Sequence, residues 1–110
     1  MVKGMGGMGN MNQMLKQAQK LQEEMARTQE EAKSKTVEAT AGGGAVRVVV
    51  NGNMELLELH IQPDAADPAD IEMLEDLVKA AINEGFRKAQ ELVNAEMGKL
   101  TGGLKIPGLF

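Results

Sequence analysis

The chain has 110 residues, no cysteine, and two residues of the Phe, Tyr and Trp class, Phe86 and Phe110. This length suits one domain with a small aliphatic core, which favours completion of the core by oligomerisation. The absence of cysteine excludes disulfides and thiolate catalysis, and the net charge of −4 argues against a simple cationic nucleic-acid binder. No apolar run approaches the roughly 20 residues that span a bilayer, and the N-terminus lacks an apolar signal segment. We therefore expect a cytoplasmic protein without a membrane partner.

The N-terminal segment 1–10 is rich in glycine and methionine, and we predict that it is flexible. A helix then runs from about Asn10 or Asn12 to about Ser34, since asparagine is a good N-cap and strong helix formers follow it. Small and apolar residues recur along this helix in steps of three and four, at Met14, Ala18, Leu21, Met25, Thr28 and Ala32. This seam is too thin to hold a lone helix, so we expect it to pack partly on the sheet and partly on a second chain.

Three strands are predicted after the helix. Thr36–Ala41 is β-branched and alternating, Ala45–Asn51 is the clearest strand, and Met54–Ile61 returns beside it. A two-residue type I′ turn at Asn51–Gly52 would join the last two strands. That turn would place three valines and alternate residues of the returning strand on one face: Val46, Val48, Val50, Glu55, Leu57, Leu59 and Ile61. The opposite face would be of mixed character, with Arg47, Val49, Met54, Leu56, Glu58 and His60.

The second helix is predicted to begin at Asp67–Pro68, with the aspartate as N-cap, and to end at Gly98. Gly85 lies within its apolar stripe, where we expect the close approach of another element. The stripe should cover one face of an antiparallel sheet with Ile71, Leu74, Val78, Ile82, Gly85, Ala89, Leu92 and Val93. The tail 99–110 contains Gly and Pro and is predicted to be flexible. The sequence therefore predicts a single α+β domain over 11–98 with the order α-β-β-β-α.

The residue types that enzymes use for catalysis are scarce in this chain. His60 is the only histidine and Ser34 the only serine, so a Ser–His or Cys–His nucleophile pair is disfavoured. A structural zinc site needs about four nitrogen or sulfur ligands, which the sequence does not hold. The acidic cluster Glu72, Glu75 and Asp76 fits a solvated helix face better than a Mg²⁺ or Ca²⁺ site. We therefore expect no enzymatic activity, no cofactor, no metal ion and no small-molecule substrate.

Positive charge is concentrated in the first third of the chain. Residues 1–35 carry six Lys or Arg against four Glu, whereas residues 36–110 carry six against twelve Asp or Glu. At 100° per residue, Lys16, Lys20 and Arg27 form a line on the side of the first helix away from the seam, which we call the cationic row. Two interpretations stay open. The row could be a solvated face with i,i+4 ion pairs, or the paired helices of two chains could use it to contact phosphates.

Four segments, in their order and spacing, match a known pattern over essentially the whole chain: MNQMLKQAQKLQEEM at 11–25, GGGAVRVVVNGNMELLELHI at 42–61, DIEMLEDLVKAAINEGFRKAQE at 70–91, and the final KIPGLF. With these segments the chain resembles the YbaB/EbfC family of bacterial nucleoid-associated proteins. The resemblance implies an α-β-β-β-α protomer with a three-stranded antiparallel sheet, a tight homodimer, and a projecting N-terminal helix. The projecting helices of the family are likened to tweezers around double-stranded DNA.

In this family, DNA contact is attributed to the helical arms. Carried over to this chain, the resemblance points to Lys16, Lys20 and Arg27, and more weakly to Arg87 and Lys88 of the second helix. It implies a nucleoid role in compaction or transcription, and phosphate contacts would make such binding tolerant of DNA sequence and sensitive to salt. The alternative is a dimeric adaptor whose arms grip a protein partner, which an acidic net charge and nine methionines would also suit.

Overall fold

The computed structural model describes residues 2–102, with side chains from Asn10 to Leu100. The main elements in chain order are helix α1 (Val2–Ser34), strands β1 (Thr36–Ala41), β2 (Val46–Asn51) and β3 (Leu56–Ile61), and helix α2 (Ile71–Gly102). Two short 3-10 turns, Pro63–Ala65 and Pro68–Asp70, lie between β3 and α2. The predicted α+β class and the order α-β-β-β-α are confirmed.

The three strands form one antiparallel sheet in the order β1-β2-β3. The central strand carries the core, since Val46, Val48 and Val50 are completely buried and cluster with Ala81 and Ala89 of α2. Helix α2 packs on β1 and β2. All six residues of β3 are nevertheless exposed. The helix therefore covers one face of the sheet, as predicted, but leaves the edge strand β3 open.

Gly85 marks the closest approach of α2 to the sheet. A Cβ atom at this position would lie 3.2 Å from Val48 Cγ2 and 3.3 Å from Val50 Cγ1. These separations are shorter than ordinary van der Waals contacts, so a larger residue would push the helix away from β2. The predicted reason for a glycine in the apolar stripe, close approach of another element, is confirmed.

The turn between β2 and β3 differs from the predicted type I′ turn. The Asn51 N–H donates to the Glu55 carbonyl oxygen at 3.0 Å, and the Met54 N–H donates to the Asn51 carbonyl oxygen at 3.1 Å. The loop thus holds three residues, Gly52, Asn53 and Met54, and the left-handed residue is Met54 with φ of 61°. The prediction of a two-residue turn with positive φ at Asn51 and Gly52 is wrong. A turn followed by one left-handed residue is a common three-residue hairpin loop.

Gly52 is required by a tertiary contact instead of by its own φ. A Cβ atom here would overlap the carbonyl oxygen of Ala32. The Gly52 N–H also donates to the Lys35 carbonyl oxygen at 3.0 Å. Asn-Gly is the usual sequence signal of a type I′ turn, whereas this glycine lets the hairpin loop touch the C-terminal end of α1.

The longer loop changes the register of β3. The strand pairs are Val46–Ile61, Val48–Leu59, Val49–Glu58 and Val50–Leu56. A bulge at Val49 and Val50 places Leu56, and not Leu57, opposite Val50, because β3 contains one extra residue there. The predicted faces are therefore correct for the first two pairs and wrong near the turn, where Leu56 replaces Leu57 on the valine face.

The start of α2 follows the sequence prediction. Asp67 Oδ1 accepts a hydrogen bond from the Ala69 N–H at 2.9 Å, as expected of an N-cap. Pro68 opens a 3-10 turn that leads into the α-helix at Ile71. The aspartate and the proline thus set the entry into the helix as predicted.

Both helices are longer than predicted. Helix α1 begins at Val2 instead of near residues 10–12, and α2 continues through Gly98 to Gly102. Once a helix is nucleated, each added residue gains a hydrogen bond, so an isolated glycine weakens the helix without ending it. The flexibility predicted for both termini stays a prediction, because their outermost residues lie outside those described.

Candidate nucleic-acid interface

Helices α1 and α2 pack against each other beyond the sheet and form an arm. At its base, Lys35 Nζ lies 2.8 Å from Glu96 Oε1. From this point the half-buried positions run back along α1 to Leu21 and forward along α2 to Leu100, so the two helices are antiparallel. The main neighbour of the α1 seam is therefore α2, and the predicted packing of the seam on the sheet is limited to its C-terminal end near Gly52.

Among the described residues, the N-terminal part of the arm consists of α1 alone. Every residue from Asn10 to Lys20 is exposed, and we call this stretch the arm tip. Its large apolar side chains Met11, Met14 and Leu15 are 63%, 67% and 57% exposed. The chain is accordingly elongated, with a longest extent of 84 Å. The predicted projecting N-terminal helix is confirmed.

The cationic row lies on the outside of this arm. Lys16, Lys20 and Arg27 are all exposed. Among the side chains described from Asn10 to Leu100, none of these three takes part in a salt bridge. The i,i+4 ion pairs that would make the row a self-neutralised face are not formed. Three positive charges are thus available to an anion from outside the chain.

Arg87, one of the two predicted site residues in α2, is already neutralised by its own helix. Its Nε donates to Glu84 Oε2 at 3.0 Å, and its Nη1 donates to Glu91 Oε1 at 2.6 Å. The hydrogen bond with Glu84, followed by the charges of both carboxylates, raises the pKa of Arg87 above its ordinary value. The same hydrogen bond lowers the pKa of Glu84. A phosphate would have to compete with two carboxylates for this guanidinium.

Lys88, the other predicted residue in α2, serves the contact between helix and sheet. Its Nζ donates to the Glu38 carbonyl oxygen of β1 at 3.1 Å. The structure therefore groups Lys16, Lys20 and Arg27 on the arm, while Arg87 and Lys88 lie on the part of α2 that packs against the sheet. Geometry separates the five candidates into three free cations and two that are already engaged.

The salt bridge at the base of the arm was missed by sequence reasoning. Lys35 and Glu96 are 61 residues apart, and no local pattern links them. Glu96 also lies 3.7 Å from Lys99 Nζ. The hydrogen bond from Lys35 is the largest of the interactions that hold the pKa of Glu96 below its ordinary value. This salt bridge links the residue that follows α1 to α2.

A second surface lies around the open edge of the sheet. Its large apolar side chains on β3 are between 38% and 50% exposed: Leu56, Leu57, Leu59 and Ile61. Beside them a groove of about 480 Å³ runs between Ile61 and α2, lined by Leu74, Val78 and Ile82 with Glu75, Lys79 and Asn83 at its margin. We call β3 and this groove the apolar edge. Contiguous apolar area of this kind marks an interaction surface.

The described part of the chain has neither a grouping of side chains suited to a metal ion nor a helix suited to span a membrane. No three His, Cys, Asp or Glu side chains within it are grouped so that they could bind a metal ion. Over the same residues, neither helix combines the length and the apolar character that a membrane crossing requires.

Comparison with known proteins places these surfaces in context. The sequence profile of the YbaB/EbfC DNA-binding family matches residues 8–104. A nucleoid-associated protein of Pelotomaculum thermopropionicum is 58% identical over 102 residues, which cover 93% of this chain and 97% of the relative. A nucleoid-associated protein of Acetivibrio thermocellus is 59% identical over 103 residues, which cover 93% of this chain and 91% of the relative. A nucleoid-associated protein of Alkaliphilus metalliredigens is 55% identical over 107 residues, which cover 97% of this chain and 94% of the relative.

The fold also matches a solved structure. The crystal structure of an uncharacterized protein from Helicobacter pylori superposes with a TM-score of 0.63 at 24% sequence identity, and the match covers 84% of this chain and 94% of that one. At this identity the likeness concerns the fold alone. It agrees with the order of elements and the single sheet described above.

Proposed function

Because the chain belongs to the YbaB/EbfC DNA-binding family, we propose that it is a nucleoid-associated protein that binds duplex DNA as a homodimer. The observation that carries this proposal is the cationic row, in which Lys16, Lys20 and Arg27 are exposed on a projecting helix and form no ion pair with the described side chains. Lys and Arg side chains without an ion pair suit phosphate recognition, because no carboxylate has to be displaced before a phosphate binds. The family is one of DNA binding and not of enzymes.

The length of the row fits a nucleic-acid backbone. From Lys16 to Arg27 the helix rises roughly 16 Å at 1.5 Å per residue. One DNA strand advances about 3.4 Å per phosphate along the axis, so the row can follow several phosphates. The described elements contain no helix-turn-helix, and contacts to phosphates alone carry no base specificity. The expected binding is therefore tolerant of sequence, with Arg87 and Lys88 as weaker contributors.

The homodimer in this proposal is supported by the apolar edge. A second copy of the chain is the occupant that fits, because the groove margin carries both a carboxylate and an ammonium, Glu75 and Lys79. In a twofold arrangement each charge can face the opposite charge of the other copy. Burial of Leu59 and Ile61 from both copies would extend the small aliphatic core. A dimer would also double the number of cationic rows, so that two arms could bind one duplex. Such DNA binding would place the protein in the nucleoid.

The test is a titration of fluorescent duplex DNA with the intact protein, at low and at physiological salt. Binding at micromolar or lower concentration should weaken with salt, with a log–log slope of about −0.9 for each phosphate contact. The double variant Lys16→Glu/Lys20→Glu should abolish binding because it reverses two charges of the row.

A matched control keeps this test specific to the arm. Lys20→Glu and Arg47→Glu change the net charge equally, but Arg47 lies on the sheet, 3.6 Å from Glu38. The first variant should weaken DNA binding strongly and the second only slightly. Unchanged affinity in a folded, dimeric Lys16→Glu/Lys20→Glu protein would refute the role of the row. Absence of binding even at low salt would favour the dimeric adaptor that grips a protein partner.

A further inference from the structure

The Asn51–Gly52 dipeptide has a chemical property besides its place in the turn. An asparagine followed by glycine is the sequence most prone to spontaneous deamidation, because glycine has no side chain to hinder attack by its own backbone nitrogen. Asn51 is the only asparagine of the chain that a glycine follows. Among the asparagines, this is therefore the position that deamidates most readily in the unfolded chain.

The reaction is an intramolecular acyl transfer that consumes one water molecule. The Gly52 nitrogen attacks Asn51 Cγ and the Cγ–Nδ2 bond breaks, so that ammonia leaves with the proton that Gly52 loses. Water then opens the resulting succinimide to aspartate or isoaspartate. The reaction requires that the Gly52 nitrogen give up its proton and that the Asn51 side chain bring Cγ to that nitrogen.

The fold holds both reacting groups in hydrogen bonds that have to break first. The Gly52 N–H donates to the Lys35 carbonyl oxygen at 3.0 Å, and Gly52 is buried. Asn51 Oδ1 accepts from the backbone N–H groups of Asn53 and Glu55, each at 3.0 Å. Asn51 Nδ2 donates to Glu55 Oε1 at 2.9 Å. The nucleophile and the amide are thus both fixed in the folded chain.

Release of the Gly52 nitrogen requires the hairpin loop to separate from the end of α1. Ala32 is completely buried, and a Cβ atom at Gly52 would overlap its carbonyl oxygen, so the loop and the end of the helix are in direct contact. The hydrogen bond from Gly52 to Lys35 joins the same two parts of the chain. Local openings of this kind cost less free energy than global unfolding.

The product of the reaction does not fit the surroundings of Asn51. A carboxylate at position 51 cannot donate to Glu55 Oε1 and would place a like charge beside it. The hydrogen bond from Asn51 is the largest of the interactions that lower the pKa of Glu55, and the reaction removes it. Isoaspartate would also add a methylene group to the backbone where Asn51 pairs with Thr36 of β1. Either product disfavours the return of the loop to its native position.

We propose that Asn51 is a latent deamidation site, which the contact of the hairpin loop with the end of α1 protects. The site reacts when this contact opens, and the aspartate or isoaspartate that forms keeps the contact weak. The modification therefore loosens the attachment to the sheet of the helix that carries the cationic row. The proposal does not depend on DNA binding.

Peptide mass spectrometry of the intact protein tests the protection. The protein is incubated at mildly alkaline pH in its native state and in guanidinium chloride, and the gain in mass at each asparagine is followed. We expect Asn51 to deamidate at least about tenfold more slowly in the native protein, because the opened state is a minor population. Asn83 and Asn94, which glutamate and alanine follow, are internal controls that should react slowly in both conditions. Equal rates at Asn51 in the two conditions would overturn the proposal.

Hydrogen exchange of the Gly52 amide, followed by NMR, identifies the contact that protects the site. Exchange and deamidation both require release of the Gly52 N–H from Lys35, so the fold should slow the two reactions by factors that agree within about threefold. A Gly52 amide that exchanged as fast as in an unfolded chain, while Asn51 stayed unreactive, would refute the role of the contact with α1.

The effect of the product is tested with the full-length variant Asn51→Asp. We expect the Gly52 amide of this variant to exchange about threefold faster or more than that of the parent protein, because the loop closes less often. Asn94→Asp is the matched control, since it adds the same charge on α2 and can still accept the hydrogen bond from Gln90 Nε2. Gly52 exchange should not change in this control. Unchanged exchange in Asn51→Asp would overturn the effect assigned to the modification.

Discussion

At the scale of single residues, Met54 carries backbone strain. It is the only non-glycine residue in the described part of the chain with positive φ, at 61°. A side chain in this region costs roughly 1–2 kcal/mol, which glycine avoids. We expect Met54→Gly to raise the free energy of unfolding by about 0.5–1 kcal/mol, since the entropy of glycine in the unfolded chain offsets part of the relief. Urea denaturation measures the change.

Asn53→Gly is the control for this prediction. Asn53 precedes Met54 in the same loop but has no positive φ, and its Nδ2 donates to Glu55 Oε1 at 3.2 Å. Glycine at this position loosens the unfolded chain and loses the hydrogen bond, so stability should fall. If both variants lowered stability equally, strain at Met54 would not contribute to the stability of the loop.

The ion pair between Lys35 and Glu96 should make the free energy of unfolding depend on pH. Lys35 lowers the pKa of Glu96 from its ordinary value of 4.5. The stabilisation by this pair is therefore complete above pH 4.5 and is lost as pH falls through the lower pKa of the folded state. A double-mutant cycle with Lys35→Met and Glu96→Gln should show a coupling free energy near neutral pH that diminishes as acidification below pH 4.5 protonates Glu96. Urea titrations of the four proteins supply the values.

A second cycle tests whether this coupling depends on contact. Lys99 Nζ is farther from Glu96, at 3.7 Å, and its side chain is 75% exposed against 49% for Lys35. The cycle of Lys99→Met with Glu96→Gln should therefore show the weaker coupling. A coupling between Lys35 and Glu96 that stayed constant from neutral to acidic pH would contradict the assignment of the ionised pair.

At the scale of elements, two glycines of α2 should respond to alanine with opposite signs. Gly85→Ala places a Cβ atom 3.2 Å from Val48 Cγ2 in the core, so we expect a loss of about 1 kcal/mol despite the better helix propensity of alanine. A Cβ atom at Gly98 meets nothing within 4 Å, so Gly98→Ala should gain about 0.5–1 kcal/mol. Thermal or urea unfolding of both variants measures the difference. If both variants had a higher free energy of unfolding than the parent protein, β2 would be able to shift and accommodate the added methyl group at Gly85.

The same scale shows which features a sequence can predict. Elements with local signals were predicted closely, including the strand Thr36–Ala41 and the Asp67 cap. The prediction of the turn type was wrong because glycine is required at position 52 by contact with the Ala32 carbonyl oxygen. The local sequence Asn51–Gly52 carries no information about this distant contact. The helix ends were wrong because propagation competes with glycine over several residues.

In the candidate site too, locally encoded features were predicted from the sequence and tertiary contacts were not. A helical wheel is enough to find the row of Lys16, Lys20 and Arg27, because their spacing is local. The engagement of Arg87 and Lys88 and the contact of Lys35 with Glu96 depend on packing. Sequence reasoning expected the α1 seam to pack partly on the sheet and partly on a second chain, whereas within the described chain the main neighbour of α1 is α2. Helix length decided this, since a helix that ended at Gly98 would cover less of the seam.

At the scale of the whole molecule, charge and apolar surface are kept apart. The cationic row lies on the arm, and the apolar edge lies along β3 and the groove beside α2. A substitution in the cationic row can therefore change DNA binding without altering the apolar edge, so the role of the row can be tested in a protein that still associates.

Ile61 is the best position from which to test the apolar edge. It pairs with Val46, is 38% exposed and lines the groove. Ile61→Glu places a carboxylate where two copies would bury apolar surface, and an unpaired buried charge is strongly unfavourable. We expect a dimer that dissociates at micromolar concentration in this variant, measured by equilibrium sedimentation. DNA affinity should fall with it, because two arms no longer act together.

Leu15→Glu is the matched control, since it adds the same charge to a 57% exposed side chain on the arm tip, away from the apolar edge. This variant should remain dimeric, so that loss of association in Ile61→Glu reflects position and not charge alone. Circular dichroism must show that Ile61→Glu keeps its helices, because a small core can depend on the partner for stability. A folded Ile61→Glu protein that sediments as an unperturbed dimer would place the interface elsewhere. A parent protein that is itself a stable folded monomer at micromolar concentration would refute the dimer altogether.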